Sequence, residues 1–412
     1  MPHSIEVGFK RGVTDAFANS IITRVQNELR LKLDNAKTTE AYTISDDLSK
    51  SELEKAAGVF TDAIIQENAV DAPLVSTDFD WAIEIGFRPG VTDNAGNTAR
   101  EALQDALKKK ISAVYYSKRL YLNGALSQNE IELICSGLLA NGLIQSWRVI
   151  PASEFKGFPL NLPVVKLTAS NEVEEIKLNG LDDTELSALS EERVLVLSLE
   201  EMKTIRNYYE KHAAKRKKKG LPEEATDVEL ECLAQTWSEH CKHKIFNAEI
   251  EYEDENGSKE TIKSLFKTFI KRTTDEIAQE KDWLVSVFKD NAGVIRFNDK
   301  WNLVFKVETH NSPSALDPYG GALTGILGVN RDTLGTGIGS KPIFNTDVFC
   351  FASPFFKGEL PPRLMHPKRI FEGVRKGVED GGNKSGIPVV NGSIVFHDSF
   401  SGKPLVYCGT GG

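Results

Sequence analysis

With 412 residues, the chain is long enough for roughly two to four domains that each bury a core. A hydrophobic share of 40% and a charged share of 26% are those of an ordinary globular protein, and the formal net charge of −9 argues against nonspecific attraction of the whole molecule to nucleic acid or an anionic membrane. Five cysteines, an odd count with no Cys-x-x-Cys, point to neither a disulfide framework nor a thiolate zinc site. The opening "MPHSIEVGFK" enters a strand-like pattern without a signal peptide, and no apolar run is long enough to span a bilayer. The expectation is a reduced, cytoplasmic protein.

The first feature along the chain is an internal repeat: "IEVGFKRGVTD" at 5–15 returns as "IEIGFRPGVTD" at 83–93, an offset of 78 residues (83 − 5). Each copy reads as an alternating strand, a Gly-containing turn and a helix, with Thr14 and Thr92 as N-caps, each followed at once by Asp. Further strands are expected around "AVYYSKRLYLNG" and "IQSWRVIPA". Two such α+β units should pair sheets or faces about an approximate twofold axis, as a homodimer would. Residues 151–200 are less regular, with "GFPLNLPVV" as an extended piece, and 199–219 is polar, helical in character and reads as a linker rather than a core. Its end, "KRKKK" at 215–219, reads as a solvated run, with a nucleic-acid or phospholipid patch as the other possibility.

From 222 onward the texture changes towards motifs. "ATDVELECLAQTWSEHCKHK" opens with a capping box, Thr226 and Glu229, and Leu230, Leu233, Ala234, Trp237 and Cys241 recur at helical spacing as a buried stripe. Thr236, His240 and His243 then lie on another face at the helix C-terminus, where protonated imidazole is favoured and a phosphate could be met. "WNLVFKVETHNSPSALDPYGGALTGILGVNRD" at 301–332 begins as a strand with Leu303, Phe305 and Val307 on one face and Lys306, Glu308 and His310 on the other. The bland alternative is the solvent face of an antiparallel strand. The strand then runs into what reads as a Gly-rich loop (Gly320, Gly321, Gly325, Gly328) closed by Arg331 and Asp332. Lysine, carboxylates, a Gly loop and arginine are the equipment of ATP-dependent phosphoryl transfer, although neither a Walker loop nor Rossmann spacing is present.

The combination "TWSEHCKHKIFNAEI", "KSLFK" at 263–267, "FKDNAG" at 288–293 and "KVETHNSPSALDPYGGALTG…RD" resembles the large form of formylglycinamide ribonucleotide amidotransferase, also called phosphoribosylformylglycinamidine synthase, of the PurL type. The resemblance is strong over 222–412 and looser over the duplicated N-terminal half, which looks like the PurS subunit. It implies an α+β chain of three parts: a duplicated PurS-like domain (1–155), a linker domain (156–221) and a first A-type lobe of the PurM/PurL ATP-binding superfamily (222–412). The activity it implies is ATP-dependent amidation of formylglycinamide ribonucleotide in purine biosynthesis, with ATP and Mg²⁺. Carried over residue by residue, His240 and His310 are catalytic, and His243, Lys306, Gly321, Thr324, Gly325 and Gly328 contact ATP. Thr309, Asn311, Ser312 and Arg331 contact substrate, and Glu308 and Asp332 bind Mg²⁺. The implied partners are a glutaminase domain or subunit supplying ammonia and the remaining synthetase lobes.

The pattern departs from the family at Ser312, where "ETHNHP" is usual, and at Val395, where a substrate-contacting Gln is usual. The chain stops about where the first A-type lobe ends, so residues 1–412 alone are expected not to complete the reaction. Two alternatives stay open: another enzyme of the superfamily, such as aminoimidazole ribonucleotide synthetase, or a non-catalytic assembly or ATP-binding module.

Overall fold

In each copy of the repeat, odd-numbered apolar residues alternate with a glutamate: Ile5 and Val7 around Glu6, Ile83 and Ile85 around Glu84. The computed structural model describes residues 1–160, 162–165 and 172–412. It forms these segments into strands β1 (His3–Phe9) and β4 (Trp81–Phe87), separated by helix α1 (Ala16–Arg24), β2 (Asn35–Ile44), α2 (Lys50–Phe60) and β3 (Gln66–Val70). The second copy continues with α3 (Asn94–Leu107), β5 (Val114–Asn123), α4 (Gln128–Ile134) and β6 (Gln145–Pro151). All six strands join one antiparallel sheet in the order β3-β1-β2-β5-β4-β6.

The duplication is visible in the register. The pair His3–Ile44 becomes Trp81–Leu122 when 78 is added to each number. At the sheet centre Glu40 pairs with Lys118, its own equivalent (40 + 78), so a local twofold axis passes between them. Only the third strand slips: Gly8–Glu67 corresponds to Gly86–Ser146, one residue extra in the second copy. Caps repeat as well. Ser49 with Glu52 and Ser127 with Glu130 form equivalent capping boxes. The first helices are capped by Asp15 and Asp93, one residue beyond the expected Thr14 and Thr92, because each carboxylate also reaches the next strand, at Thr38 N and Tyr116 N.

The cores mix the copies. Ala18 and Ile21 of α1 cluster with Ile83 and Ile85 of β4, while Ala99 and Leu103 of α3 cluster with Ile5 and Val7 of β1. Each copy therefore completes the other's core. On the opposite face the two glutamates are buried, Glu6 at 0% and Glu84 at 6% exposure, and Arg119 lies between them. Arg119 Nη1 donates to Glu6 at 2.7 Å and Nε to Glu84 at 3.0 Å, while Tyr121 and Thr39 donate to Glu6 and Ser117 to Glu84. Burial opposes the guanidinium charge, but the two carboxylates hold its pKa above the ordinary value.

Among the described residues, 1–165, 308–327 and 346–408 form one compact unit, and 172–307, 328–345 and 409–412 form a second. The second unit opens with β7 (Glu175–Ile176), α5 (Asp183–Glu192), α6 (Leu199–Lys218), β8 (Ala225–Thr226) and α7 (Asp227–Thr236). The segment expected to be a coreless linker in fact builds one: Met202, Ile205 and Tyr209 of α6 pack with Leu186, Leu197, Ala225, Leu230 and Ala234. The basic run ends α6, where cations suit the helix dipole. Arg216 forks onto Glu229 at 2.9 and 2.8 Å and covers the Tyr209 ring. "GFPLNLPVV" forms no strand over its described residues, and its residue 161 lies outside them.

The rest of the chain supplies α8 (Glu239–Lys242), α9 (Lys244–Asn247), the hairpin β9 (Glu249–Glu253) and β10 (Lys259–Lys263), α10 (Arg272–Glu280), β11 (Leu284–Ser286), β12 (Gly293–Arg296) and β13 (Asn302–Thr309). Then follow α11 (Asn311–Leu316), α12 (Pro318–Leu334), β14 (Phe344–Phe351), α13 (Pro367–Ser385), β15 (Val389–Phe396) and β16 (Leu405–Gly411). The second six-stranded sheet has the order β11-β12-β13-β16-β14-β15. The class is α+β.

Arg119→Ala would leave two carboxylates buried without their cation, which typically costs about 3–5 kcal/mol. We expect the urea transition of the first unit, followed by Trp81 and Trp147 fluorescence, to move to lower denaturant by that amount. An unchanged midpoint would refute the structural weight given to this cluster.

Candidate functional site

Strand β13 alternates as its sequence predicts, but the sense of burial is the reverse of an apolar-in strand. Val304 is buried and Phe305 is 47% exposed. The inward face thus carries Lys306 and Glu308, both half-buried, and His310 follows just past the strand end.

In the second unit, Lys306 Nζ lies 3.6 Å from Asp332 Oδ2, with each side chain 29% exposed. Asp332 belongs to the last turns of α12, where Arg331 is exposed and Gly328 half-buried. In the first unit, His310 N donates to Val406 O at 2.9 Å, and Asn311 Oδ1 accepts from Val406 N at 2.8 Å. The His310 ring packs against α12, for a Cβ placed on Gly325 would come within 3.1 Å of its Nδ1. That Nδ1 is buried with no hydrogen-bond partner among the described residues. Thr309 and Ser312 are exposed.

The Gly-rich stretch is not a loop. Residues 318–334 form helix α12, so the expectation of a Gly-rich loop is corrected to a helix. Gly321 is buried against Pro313 and Ser314, where a Cβ would meet Ser314 N at 2.4 Å, and Gly325 faces His310. Their missing side chains serve helix packing. Thr324 is exposed, its hydroxyl donating back to Gly320 O at 2.8 Å.

The histidine helix is two helices. α7 ends at Thr236, and Ser238 caps the four-residue α8 by accepting from Cys241 N at 3.2 Å. The restart turns Cys241 outward, so its assignment to the buried stripe is corrected: Cys241 is exposed. His240 and His243 are exposed, and His243 closes α8 in the left-handed region at φ 52°. A four-residue helix carries little of a macrodipole, which weakens the electrostatic argument for their position.

Among the described residues no three His, Cys, Asp or Glu side chains cluster as a metal cage. Magnesium is compatible with this, since it needs only one or two protein carboxylates beside phosphate oxygens and water. Asp332, half-buried beside a lysine, is a donor of that kind.

Sequence reasoning missed Asp347, on β14. Its carboxylate is 4% exposed, and neither oxygen has a hydrogen-bond partner among the described residues. Burial pushes its pKa up to about 6, partly offset by the Cys408 thiol, which lies beside it outside hydrogen-bonding geometry. A strand pattern of alternating burial, "FNTDVFCF", put an acid on the inward face and was the available sign.

Three family models match. "AIR synthase related protein, N-terminal domain" covers 289–412, "Formylglycinamide ribonucleotide amidotransferase linker domain" covers 186–244, and the PurS model, "Phosphoribosylformylglycinamidine (FGAM) synthase", covers 80–152. The chain therefore combines, in order, a PurS-like domain, a linker domain and an AIR synthase-related lobe. In this it resembles the N-terminal portion of phosphoribosylformylglycinamidine synthase of the PurL type. It is 34% identical over 238 residues to the PurL subunit of Thermoplasma volcanium, covering 57% of this chain and 26% of the relative. With the Thermoplasma acidophilum subunit it is 35% identical over 237 residues, with the same coverage. Among solved structures, T. maritima PurL complexed with ADP is 28% identical, covering 48% of this chain and 26% of that one, with a TM-score of 0.32. The same protein complexed with FGAR is 26% identical, covering 48% and 25%, with a TM-score of 0.30. The chain spans about a quarter of the length of the curated relatives it matches. Among the described residues no helix is long and apolar enough to cross a membrane.

Asp347 yields a pH prediction. Because its folded pKa is raised, the stability associated with its protonation is present below about pH 4 and lost as pH rises through about 6. Asp347→Asn should therefore stabilise the chain at pH 8 by roughly 1–3 kcal/mol and leave it nearly unchanged at pH 4. Urea titrations of both proteins at the two pH values test this; an equal difference at both would exclude a buried carboxylate penalty.

Proposed function

We propose that the chain is the part of a PurL-type enzyme that binds Mg-ATP and formylglycinamide ribonucleotide for ATP-dependent amidation in purine biosynthesis. The carrying observation is the ordered succession of PurS, linker and AIR synthase-related matches. The reaction transfers the γ-phosphoryl group of ATP to the formylglycinamide amide oxygen, releasing ADP. Ammonia then adds at the amide carbon and phosphate leaves, giving the amidine.

In the second unit Lys306 neutralises phosphate charge and Arg331 forks onto a phosphate of the substrate. His243 and Gly328 complete the nucleotide contacts. His240 serves as a proton-transfer group, and Asp332 holds magnesium, which when bound would offset charge on the transferring phosphoryl group. In the first unit His310 acts on the amide, its ring oriented by α12. Thr309, Asn311 and Ser312 contact the nucleotide substrate. Glu308 is assigned to magnesium and Thr324 to ATP, and Gly321 and Gly325, packed against Ser314 and His310, shape the same stretch of α12 for the nucleotide. The functional segments 1–155, 156–221 and 222–412 belong to this reading, although the linker match runs on to 244. So do a glutaminase partner supplying ammonia, the remaining synthetase lobes and a cytoplasmic location.

Calorimetric titration of the chain with Mg-ATP and with formylglycinamide ribonucleotide tests the reading. Both should bind saturably, and Lys306→Ala should weaken ATP binding by roughly 1.5–3 kcal/mol, the value of a charged hydrogen bond. Equal ATP affinity in the variant would return Lys306 to an ordinary surface pair, and no binding of the ribonucleotide would defeat the substrate assignment.

A further inference from the structure

Helix α4 runs on into a π-helical turn at Cys135–Leu139 and ends at Ala140 in extended conformation. The carbonyls of a helix's last turn have no partners within the helix. Here Arg369, in the first turn of α13, supplies them from outside. Its Nη1 donates to Ser136 O at 2.9 Å and Gly137 O at 3.4 Å, and its Nη2 to Ala140 O at 2.5 Å. One residue further on, Asn141 Nδ2 donates to Leu316 O at 2.8 Å. Asn141 is itself held: its N–H donates to Gln145 Oε1 at 2.9 Å, and its Oδ1 accepts from Leu143 N at 3.1 Å. All of these residues lie in the first unit.

Asn141 thereby grips the end of the α11 segment at Leu316, while Arg369 ties α13 to the same α4 end and reaches the α11 side through its charge on Asp317. α11 has six residues, too few to be stable alone, so its geometry depends on how its ends are tied. Its start is tied by Asn311 to Val406, and its end, at Leu316, by Asn141. Asp317 follows at once. Its carboxyl is pushed up by burial and held down by the Gly320 N–H and the charge of Arg369, while Arg369 is lowered by burial and by Arg24, with Asp317 opposing. The partly exposed pairs Lys368–Glu28 at 3.5 Å and Arg24–Glu372 at 4.0 Å flank the contact and add little.

We propose that Asn141 and Arg369 are positioning residues through which the duplicated N-terminal domain fixes α11, and with it Asn311 and Ser312, for the ribonucleotide substrate. The inference rests on the reading that these two residues contact formylglycinamide ribonucleotide. Neither Asn141 nor Arg369 touches substrate in it. They act by removing the freedom of a short helix that must hold its donors in place.

The test uses the full chain with Asn141→Ala, Arg369→Ala and Arg369→Lys. Amide hydrogen exchange without ligand should quicken across 311–317 in both alanine variants and stay unchanged in β1, β2 and β5. Affinity for formylglycinamide ribonucleotide should fall about fivefold to tenfold, as expected for one lost hydrogen-bonding anchor, while ATP affinity stays the same. Arg369→Lys should recover part of the loss, because a lysine keeps the charge but not the fork. Asn141 is only half-buried and bears no charge, so its variant remains informative if Arg369→Ala folds poorly. Unchanged exchange at 311–317, or faster exchange with unchanged ribonucleotide affinity, overturns the proposal. A wild-type chain that binds no ribonucleotide defeats the substrate reading instead, and the exchange data then still report whether the tie exists.

Discussion

The arrangement around His310 depends on how closely helix α12 can approach its neighbours. On one side Gly321 and Gly325 bring the α12 backbone against Pro313, Ser314 and the His310 ring. On the other, Gly373, Gly377 and Gly381, spaced four apart on α13, leave room for Pro318, Tyr319 and Ile326, since any Cβ there would lie 2.4–2.6 Å from an atom of α12. A helix with ordinary side chains at these positions would stand off by a few ångströms. Interiors are packed too densely for that displacement to be absorbed elsewhere. The His310 ring is therefore oriented by the absence of atoms, with its Nδ1 left buried and without a hydrogen-bond partner among the described residues.

The same close packing explains what could and could not be read in advance. A glycine-rich run followed by arginine and aspartate is compatible with a loop or a helix, because glycine's low helix propensity is overridden when tertiary packing demands a missing Cβ. Nothing local in "GGALTGILG" separates the two cases. The strand before it was legible, since a period of two survives any environment. Which of its faces is inward was not, because that depends on α12 lying over Lys306 rather than over Phe305. The α7–α8 break was signalled only faintly, by Ser238 followed three residues later by Cys241, where a glutamate would have completed a capping box.

The duplicated domain was the most legible part. Matching strand patterns 78 residues apart produced the same register for β1–β2 and β4–β5, and the capping boxes repeat to the residue. Its chemistry was hidden in the difference between the copies. Glu6 and Glu84 are equivalents, and so are Thr39 and Ser117, yet the equivalent of Arg119 is Ala41 (119 − 78). Two arginines facing two glutamates across a twofold axis would crowd four charges into one dry site. One arginine shared by both copies needs a single guanidinium fork, with hydroxyl donors completing each carboxylate. A fused repeat is free to make that choice, whereas a homodimer is not.

Lys306 and Asp332 show the opposite economy of charge. Their separation of 3.6 Å is beyond a good hydrogen bond, and both side chains keep nearly a third of their surface in solvent. Pairs of that kind contribute between nothing and about 1 kcal/mol to stability. That pair adds little by itself, unlike the buried Arg119 cluster, where removing one member leaves a buried charge uncompensated. The strand and the helix, more than the pair itself, fix where this lysine and carboxylate stand. The two clusters thus differ in kind: the charges under the repeat sheet are buried and hold the fold, whereas the Lys306–Asp332 pair, partly in solvent, adds little to it.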